Sequence, residues 1–283
     1  MKKVVYVTGC LGFIGSYVTR ICLKKGWYVR GIDKMTYASN SNFLEEFKHY
    51  PNFVFEKKDI NDLNWLYDCD YIINTAAETH VDNSIVSSDD FVYSNINGVH
   101  NLLELIRKRN TFKMPTLLHF STDEVYGDIV DGAHKETDLL KPSNPYVIVR
   151  PTNNYGIGQY VEKLIPKVCK FLSIGRKIPL HNQGEPYRMW LHAKDTATAI
   201  TTIIESEKTN EIYNISGNFE QKNIDTVKKI LDLYGKDFVY SNTEDIFDFS
   251  YDRDGQDVRY SVDDTKLQAL GWKTECNFDD ELP

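Results

Sequence analysis

The chain has 283 residues, with 33 Lys and Arg against 41 Asp and Glu and a formal net charge of −8. That balance leaves no broad cationic face for a phosphate backbone, which argues against nucleic-acid binding. No apolar run approaches the ~18 residues of a membrane span. Apolar content of 41% and charged content of 26% are those of a folded globular protein, long enough for one large or two modest domains with a real core. The five cysteines, Cys10, Cys22, Cys69, Cys169 and Cys276, are odd in number, scattered and without a C-x-x-C pair. They predict reduced thiols and no structural metal. A strand pattern begins almost at the N-terminus, so no leader is expected, and a cytoplasmic location follows.

In chain order, Lys3–Val7 reads as a strand, and Phe13–Lys25 as a helix closed by Gly26. Strand patterns recur at Trp27–Asp33, Asn52–Glu56 and Asp70–Asn74; a helix follows near Phe91–Arg109, then an apolar run from Thr116 to Phe120. Alternation of strands and helices, with strands apolar on both faces, predicts an α/β fold with a doubly wound parallel sheet. Residues 1–155 are expected to form the domain built on this sheet. The strand pattern Glu211–Ser216 suggests that 189–217 returns to it, while 156–188 and 218–283 form a smaller, interleaved domain.

Thr8-Gly9-Cys10-Leu11-Gly12-Phe13-Ile14-Gly15 joins the first strand to the first helix. Glycines there allow a tight turn and close backbone approach to a pyrophosphate, whose charge then sits on the helix N-terminus. The glycine spacing alone is a weak signal, but Asp33 ends the second strand about twenty residues on, as a ribose-binding acid should. That acid would repel a 2′-phosphate, so the pattern favours NAD over NADP. Asp59 and Ile60, after the third strand, are placed to reach the adenine. After Phe120 comes Ser121-Thr122-Asp123-Glu124-Val125-Tyr126-Gly127. Two adjacent acids at a strand's carboxyl end are costly to desolvate, and open α/β sheets bind their ligands at that edge. This is where acid–base chemistry is expected.

These stretches, with Asp33–Asn40 (D-K-M-T-Y-A-S-N), Ala76–Ile85 (A-A-E-T-H-V-D-N-S-I), Asn153–Pro166 and Asp252–Tyr260, resemble the extended short-chain dehydrogenase/reductases, and within them the nucleotide-sugar 4,6-dehydratases. The likeness covers nearly the whole chain, from Val4 to about Trp272. It implies a Rossmann-type fold, NAD as cofactor, a nucleotide-sugar substrate with dTDP-glucose favoured over UDP-glucose, and a homodimer. It further implies that Gly9, Gly12, Phe13, Ile14, Gly15, Asp33, Lys34, Asp59, Ile60, Ala76 and Ala77 hold the cofactor. Of the catalytic residues, Thr122 would bond the sugar's 4-oxygen, Asp123 would protonate the leaving hydroxyl, and Glu124 would take the proton from carbon 5. Adjacent acids can hold opposite protonation states where their surroundings separate their pKa values. His80, Asn154, Lys163, Leu164, Arg188, Asn223 and Arg253 match substrate-binding positions, the arginines suiting a diphosphate by their planar fork. The acids distinguish the chain from the related 4-epimerases, the first rival reading.

The chain departs from the resemblance at one place. The family carries a Tyr and, four residues later, a Lys on one helical face, before a strand. Here Pro145-Tyr146 abuts Val147-Ile148-Val149-Arg150-Pro151 directly, and the helix between is not in the sequence. Arg150 stands four after Tyr146, but on an expected strand, and an arginine does not titrate as a lysine does. Three accounts stand: a segment absent from this sequence, a true deletion, or a rerouted fold in which Tyr146 acts alone. The second rival reading, a catalytically silent binder of NAD and nucleotide sugar, rests on this gap. The family also continues past Pro283, and Gln256 stands where it often has His.

Overall fold

The computed structural model describes residues 2–109, 114–122, 136, 146–234, 246–250 and 258–282. Chain order begins β1 (Val4–Thr8), α1 (Phe13–Lys24), β2 (Tyr28–Asp33), α2 (Ser41–Phe47), β3 (Phe53–Lys57), β4 (Tyr71–Asn74) and α3 (Val81–Val86). A helical stretch follows as α4 (Asp89–Phe91), a π-helical run Val92–Asn97 and α5 (Gly98–Arg107), then β5 (Thr116–Phe120) and β6 (Tyr146–Pro151). Then come β7 (Asn153–Tyr155), α6 (Leu164–Ser173), β8 (Ile178–Pro179), β9 (Tyr187–His192), α7 (Ala193–Glu205), β10 (Glu211–Ile215), β11 (Phe219–Lys222) and α8 (Asn223–Tyr234). The last are β12 (Phe247–Asp248), α9 (Thr265–Gln268) and α10 (Phe278–Glu281).

Among the described residues, seven strands form one sheet in the order β10-β6-β5-β4-β1-β2-β3, every neighbouring pair parallel. The chain winds outward from β1 through β2 to β3, then returns to β4 on β1's other side. The carboxyl ends of β1 and β4 therefore flank the switch point where such sheets bind ligands. Alternation along the strands builds the core. Val5 and Val7 join Val18, Leu118, Val149, Ile200 and Ile215 beneath α1 and α7, while Tyr6 faces the other way with Ile32, Ile72, Leu102, Ile106 and Leu117 beneath α5. Helix α1 presents Gly15, Ser16, Val18, Thr19, Cys22 and Leu23 inward, the spacing of one helical face. All five cysteines are unpaired.

The sequence-read boundary at 155/156 is not where the sheets divide. Strand β7 pairs with β9, which pairs with β11, so 153–155 and 187–192 belong to a second, three-stranded sheet. From the 189–217 segment, β10 fills the edge of the main sheet beside β6. A separate apolar cluster of Val168, Leu172, Leu180, Val227, Ile230 and Phe247 supports α6 and α8.

Candidate active site

The turn after β1 is built by close approach. Gly9 has φ +67, and a Cβ on it would lie 2.9 Å from the Ala76 backbone nitrogen. A Cβ on Gly15 would lie 2.0 Å from the Gly9 carbonyl oxygen. That carbonyl accepts from Gly12 N at 3.0 Å, and Gly9 N donates to the Ile32 carbonyl at 2.7 Å, tying the turn to β2. Gly12 caps α1 without a side-chain bond, so the helix presents its first-turn N–H groups, with their partial positive charge, beside a glycine surface. Phe13 and Ile14 sit on that first turn; the Phe13 ring contacts Tyr17 edge-on at 5.7 Å and Ile14 packs on the core.

Asp33 ends β2 and is buried. Its Oδ2 accepts from Leu11 N at 2.9 Å, and its Oδ1 from Met35 N and Ser39 Oγ, both at 2.7 Å. Met35 holds φ +62, a left-handed conformation uncommon outside glycine. Cys10 lies nearby, and burial followed by the Asp33 charge pushes its thiol up, so it stays neutral. Lys34 Nζ turns away from Asp33, lying 3.2 Å from Ser94 Oγ, 3.5 Å from Glu78 Oε1 and 3.7 Å from Asp59 Oδ2. Asp59 Oδ1 is committed locally, accepting from Asn61 N at 2.9 Å to cap a short 3₁₀ turn over 60–62. Asn101 of α5 pins that turn by donating to the Ile60 carbonyl at 2.7 Å.

An open cleft joins these groups. Gly9, Gly12, Asp33, Lys34, Asp59, Ile60, Ala76 and Ala77, all singled out in the sequence, line it; Phe13, Ile14 and Gly15, on the first turn of α1, are not among its lining residues. Sequence reasoning missed Thr36, Ser39, Lys58, Thr75 and Ser94, which also line it. The D-K-M-T-Y-A-S-N stretch contained the signal for Thr36 and Ser39. Nothing in the sequence marked Ser94, which a helix brings over from distant chain.

A buried polar chain runs across the carboxyl ends of three central strands. Thr8 Oγ1 donates to Asn74 Oδ1 at 2.5 Å, and Asn74 Nδ2 lies 3.0 Å from His119 Nδ1. Burial lowers the His119 pKa, which keeps the ring neutral and Nδ1 an acceptor. Thr122 lies at this same edge, two residues past β5, where Ser121 N donates to the Val149 carbonyl at 2.8 Å. Asp123, Glu124 and Arg253 lie outside the described residues.

Tyr146 requires a correction. It is the first residue of β6, facing Leu117 at the amino edge of the sheet, while Val147 faces Leu118 in unbroken register. Thr122 stands beyond the opposite end of the neighbouring parallel strand, five residues and about 16 Å of extended chain from Leu117. Tyr146 is therefore not brought to the edge that holds Thr122 and the glycine turn, because a parallel strand carries its first residue to the far edge.

The remaining sequence-read positions fall in two groups. His80 caps α3 through Nδ1, which accepts from Asn83 N at 3.1 Å, and its Nε2 lies 3.5 Å from Glu162 Oε2. Lys163 Nζ donates to the Thr79 carbonyl at 3.2 Å, and Tyr37 meets Tyr160 edge-on at 5.3 Å. These contacts join the segment after β7 to the loops at the cleft. Arg188 and Asn223 come near each other because Arg188 pairs with Gln221 across β9 and β11; the Arg188 guanidinium lies 5.0 Å from the Tyr260 ring centroid. Asn223 Oδ1 is buried without a hydrogen-bond partner among the described residues. Asn154 is held at both ends of its amide, donating to the Thr152 carbonyl at 2.8 Å and accepting from Thr196 Oγ1 at 2.6 Å. Leu164 packs against the clusters around Leu172 and Trp190.

A parallel sheet with a glycine turn, a bare helix N-terminus and a strand-end acid at its switch point defines a Rossmann-type protein. The sequence model of the GDP-mannose 4,6 dehydratase family matches residues 6–148 and 147–282, and the chain belongs to that family. It is 36% identical to a dTDP-glucose 4,6-dehydratase of Haemophilus influenzae, covering 98% of this chain and 95% of that one. It is also 36% identical to the low-salt glycan biosynthesis protein Agl12 of Haloferax volcanii, covering 98% and 96%. A dTDP-glucose 4,6-dehydratase of Streptomyces venezuelae, solved with NAD and TYD bound, superposes with a TM-score of 0.89 at 31% identity, covering 99% of this chain and 94% of that one. The family match restarts at the junction where Tyr146 meets Val147. The alignment with the Haemophilus protein spans 324 residues against a chain of 283, so that relative carries at least 41 residues without a counterpart here.

Proposed function

We propose that this chain is an NAD-dependent lyase that dehydrates a nucleoside-diphosphate glucose, dTDP-glucose above others, to the 4-keto-6-deoxy sugar. The observation that carries the cofactor half is the turn at Gly9 and Gly15: a Cβ at either would intrude on backbone, so the tight turn and the close packing of helix on strand that a dinucleotide site uses both depend on glycine here. Gly9, Gly12, Phe13, Ile14 and Gly15 would hold the diphosphate against α1, Asp33 the adenosine ribose, and Lys34, Asp59, Ile60, Ala76 and Ala77 the remaining walls. A 2′-phosphate would meet the Asp33 carboxylate while Lys34 is engaged with Asp59 and Glu78, so NADP should bind worse than NAD.

When bound, NAD supplies reversible hydride transfer to and from the sugar. The protein's own part is acid–base chemistry. Thr122 holds the 4-oxygen, Glu124 removes the proton at carbon 5, and Asp123 delivers a proton to the departing 6-hydroxyl. His80, Lys163, Leu164, Arg188, Asn223 and Arg253 would bind the nucleotide sugar; Asn154 would serve mainly by fixing the β7 end, given its two internal bonds. A homodimer belongs to the same reading, supported by exposed Val92, Tyr93, Ile96 and Leu103 along the 89–107 helix and by Ile85 and Val86 on α3. So does a cytoplasmic location, supported by the five unpaired cysteines.

A second reading has its own support: a binder of NAD and nucleotide sugar without turnover. The family match restarts at Val147, and Tyr146 lies at the edge of the sheet opposite Thr122, so the residue matched to the catalytic tyrosine is not brought to Thr122. Incubation with dTDP-glucose and UDP-glucose, followed by detection of a 4-keto-6-deoxy product, separates the two. Water loss supports the dehydratase. NAD and nucleotide binding without product supports the silent binder, and inversion at carbon 4 without water loss would replace both by an epimerase.

A further inference from the structure

Asp33 is more heavily engaged than a ribose-binding acid need be, and its surroundings assign work to a neighbour. A carboxylate offers about four acceptor positions, two on each oxygen. Oδ1 has both filled, by Met35 N and Ser39 Oγ; Oδ2 has one filled, by Leu11 N. The Met35 bond is built into the fold, because the left-handed backbone at Met35 is what aims that N–H, at a cost such conformations carry. Among the described residues one acceptor position therefore remains, whereas a nucleoside ribose presents two vicinal hydroxyls.

Ser39 offers the acceptor that a second hydroxyl needs. It lines the same cleft as Asp33, and its hydroxyl proton is committed to Asp33 Oδ1. A hydroxyl that donates keeps two lone pairs, and Ser39 Oγ accepts no bond among the described residues. Lys34, the charged side chain next to Asp33 in sequence, is held by Asp59, Glu78 and Ser94. We infer that Ser39 is a second ribose-recognition residue: one hydroxyl of the adenosine ribose donates to Asp33 Oδ2, and the other donates to Ser39 Oγ, whose own proton is fixed on Asp33 Oδ1. Such a relay would read a cis-diol as a unit, and each link would strengthen its neighbour. This deepens the NAD reading above and rests on it.

The test is NAD affinity of the full chain by titration calorimetry, for the unaltered protein, Ser39→Ala and Ser39→Thr. Each is measured with NAD and with two analogues lacking one or the other adenosine-ribose hydroxyl. Ser39→Ala should weaken NAD about three- to tenfold, the worth of one net hydrogen bond. Ser39→Thr, which keeps the hydroxyl, should bind within about twofold of the unaltered chain. The analogue lacking the hydroxyl read by Ser39 should bind the unaltered chain and Ser39→Ala alike. Unchanged NAD affinity in Ser39→Ala overturns the proposal. So does an equal loss on NAD and both analogues, since that marks an effect of loop shape through Asp33. Failure of the unaltered chain to bind NAD would remove the cofactor reading itself, and the ribose assignment with it.

Discussion

Replacing Gly15 by Ala opposes two effects whose sizes decide the outcome. In an ordinary helix the change gains about 1 kcal/mol, because glycine is the costlier residue to order. At Gly15 the added carbon would lie 2.0 Å from the Gly9 carbonyl oxygen and 2.7 Å from Thr75 Oγ1. The threonine hydroxyl can rotate, although it would give up its 2.6 Å bond to the Thr8 carbonyl. The Gly9 carbonyl cannot move freely, since Gly12 N donates to it and Gly9 N is tied to Ile32. Forcing a methyl into such packing costs about 1–3 kcal/mol, enough to cancel the helix gain and leave a net loss of about 1 kcal/mol. The displaced turn should also cost NAD at least about tenfold in affinity, which is 1.4 kcal/mol. Gly26→Ala is the control. Gly26 has φ +73 with no atom of the described residues near its missing Cβ, so its loss of about 1–2 kcal/mol is conformational and should leave NAD affinity untouched. Urea unfolding and NAD titration of both variants make the comparison. A Gly15→Ala protein as stable as the parent, with unchanged NAD affinity, would refute the close-approach argument.

Thr8→Val keeps shape but strips the donor from Asn74 Oδ1, a loss that should cost about 1–3 kcal/mol in urea unfolding; a neutral result would mean the Thr8–Asn74–His119 chain is dispensable. Burial holds the His119 pKa below its ordinary 6.5, so between the two values the unfolded chain binds more protons and stability rises with pH. That contribution is present above 6.5 and lost as pH falls through the folded value. His119→Gln should flatten the dependence; His192, also lowered by burial, should leave part of it, and an unchanged slope would contradict the assignment. Glu124→Gln should lower kcat about a hundredfold or more with NAD affinity retained, measured by keto-sugar formation; equal turnover would remove Glu124 from the mechanism. Ile96→Glu places a charge on an exposed apolar helix surface and should convert the proposed dimer to monomer in sedimentation velocity. A dimer that persists would place the interface elsewhere.

What the sequence made legible was whatever depends on short spacing. The glycine turn, the strand-end Asp33 and the both-face-buried strands are local patterns, and α1 begins at Phe13 as read. The ribose side was only half legible. Asp33 follows from its place at a strand end, but the saturation of its Oδ1 depends on how 34–40 folds back, which a left-handed Met35 decides and no propensity announces. Pairing between distant segments was least legible: Asn153–Tyr155 follows β6 almost without a break yet joins the other sheet through β9. Tyr146 shows the same limit from the opposite side. A motif match fixes which residue corresponds to which, but the edge of the sheet a residue reaches is set by the length of chain before it. Here the chain enters β6 at Tyr146 itself, and the residue that resembles a catalytic tyrosine is carried to the edge opposite Thr122. The dinucleotide cradle does not depend on that crossover, since β1, α1, β2 and β4 all precede it. Cofactor binding and sugar oxidation thus become separable properties of this chain, and NAD titration alongside the keto-sugar assay measures each on its own.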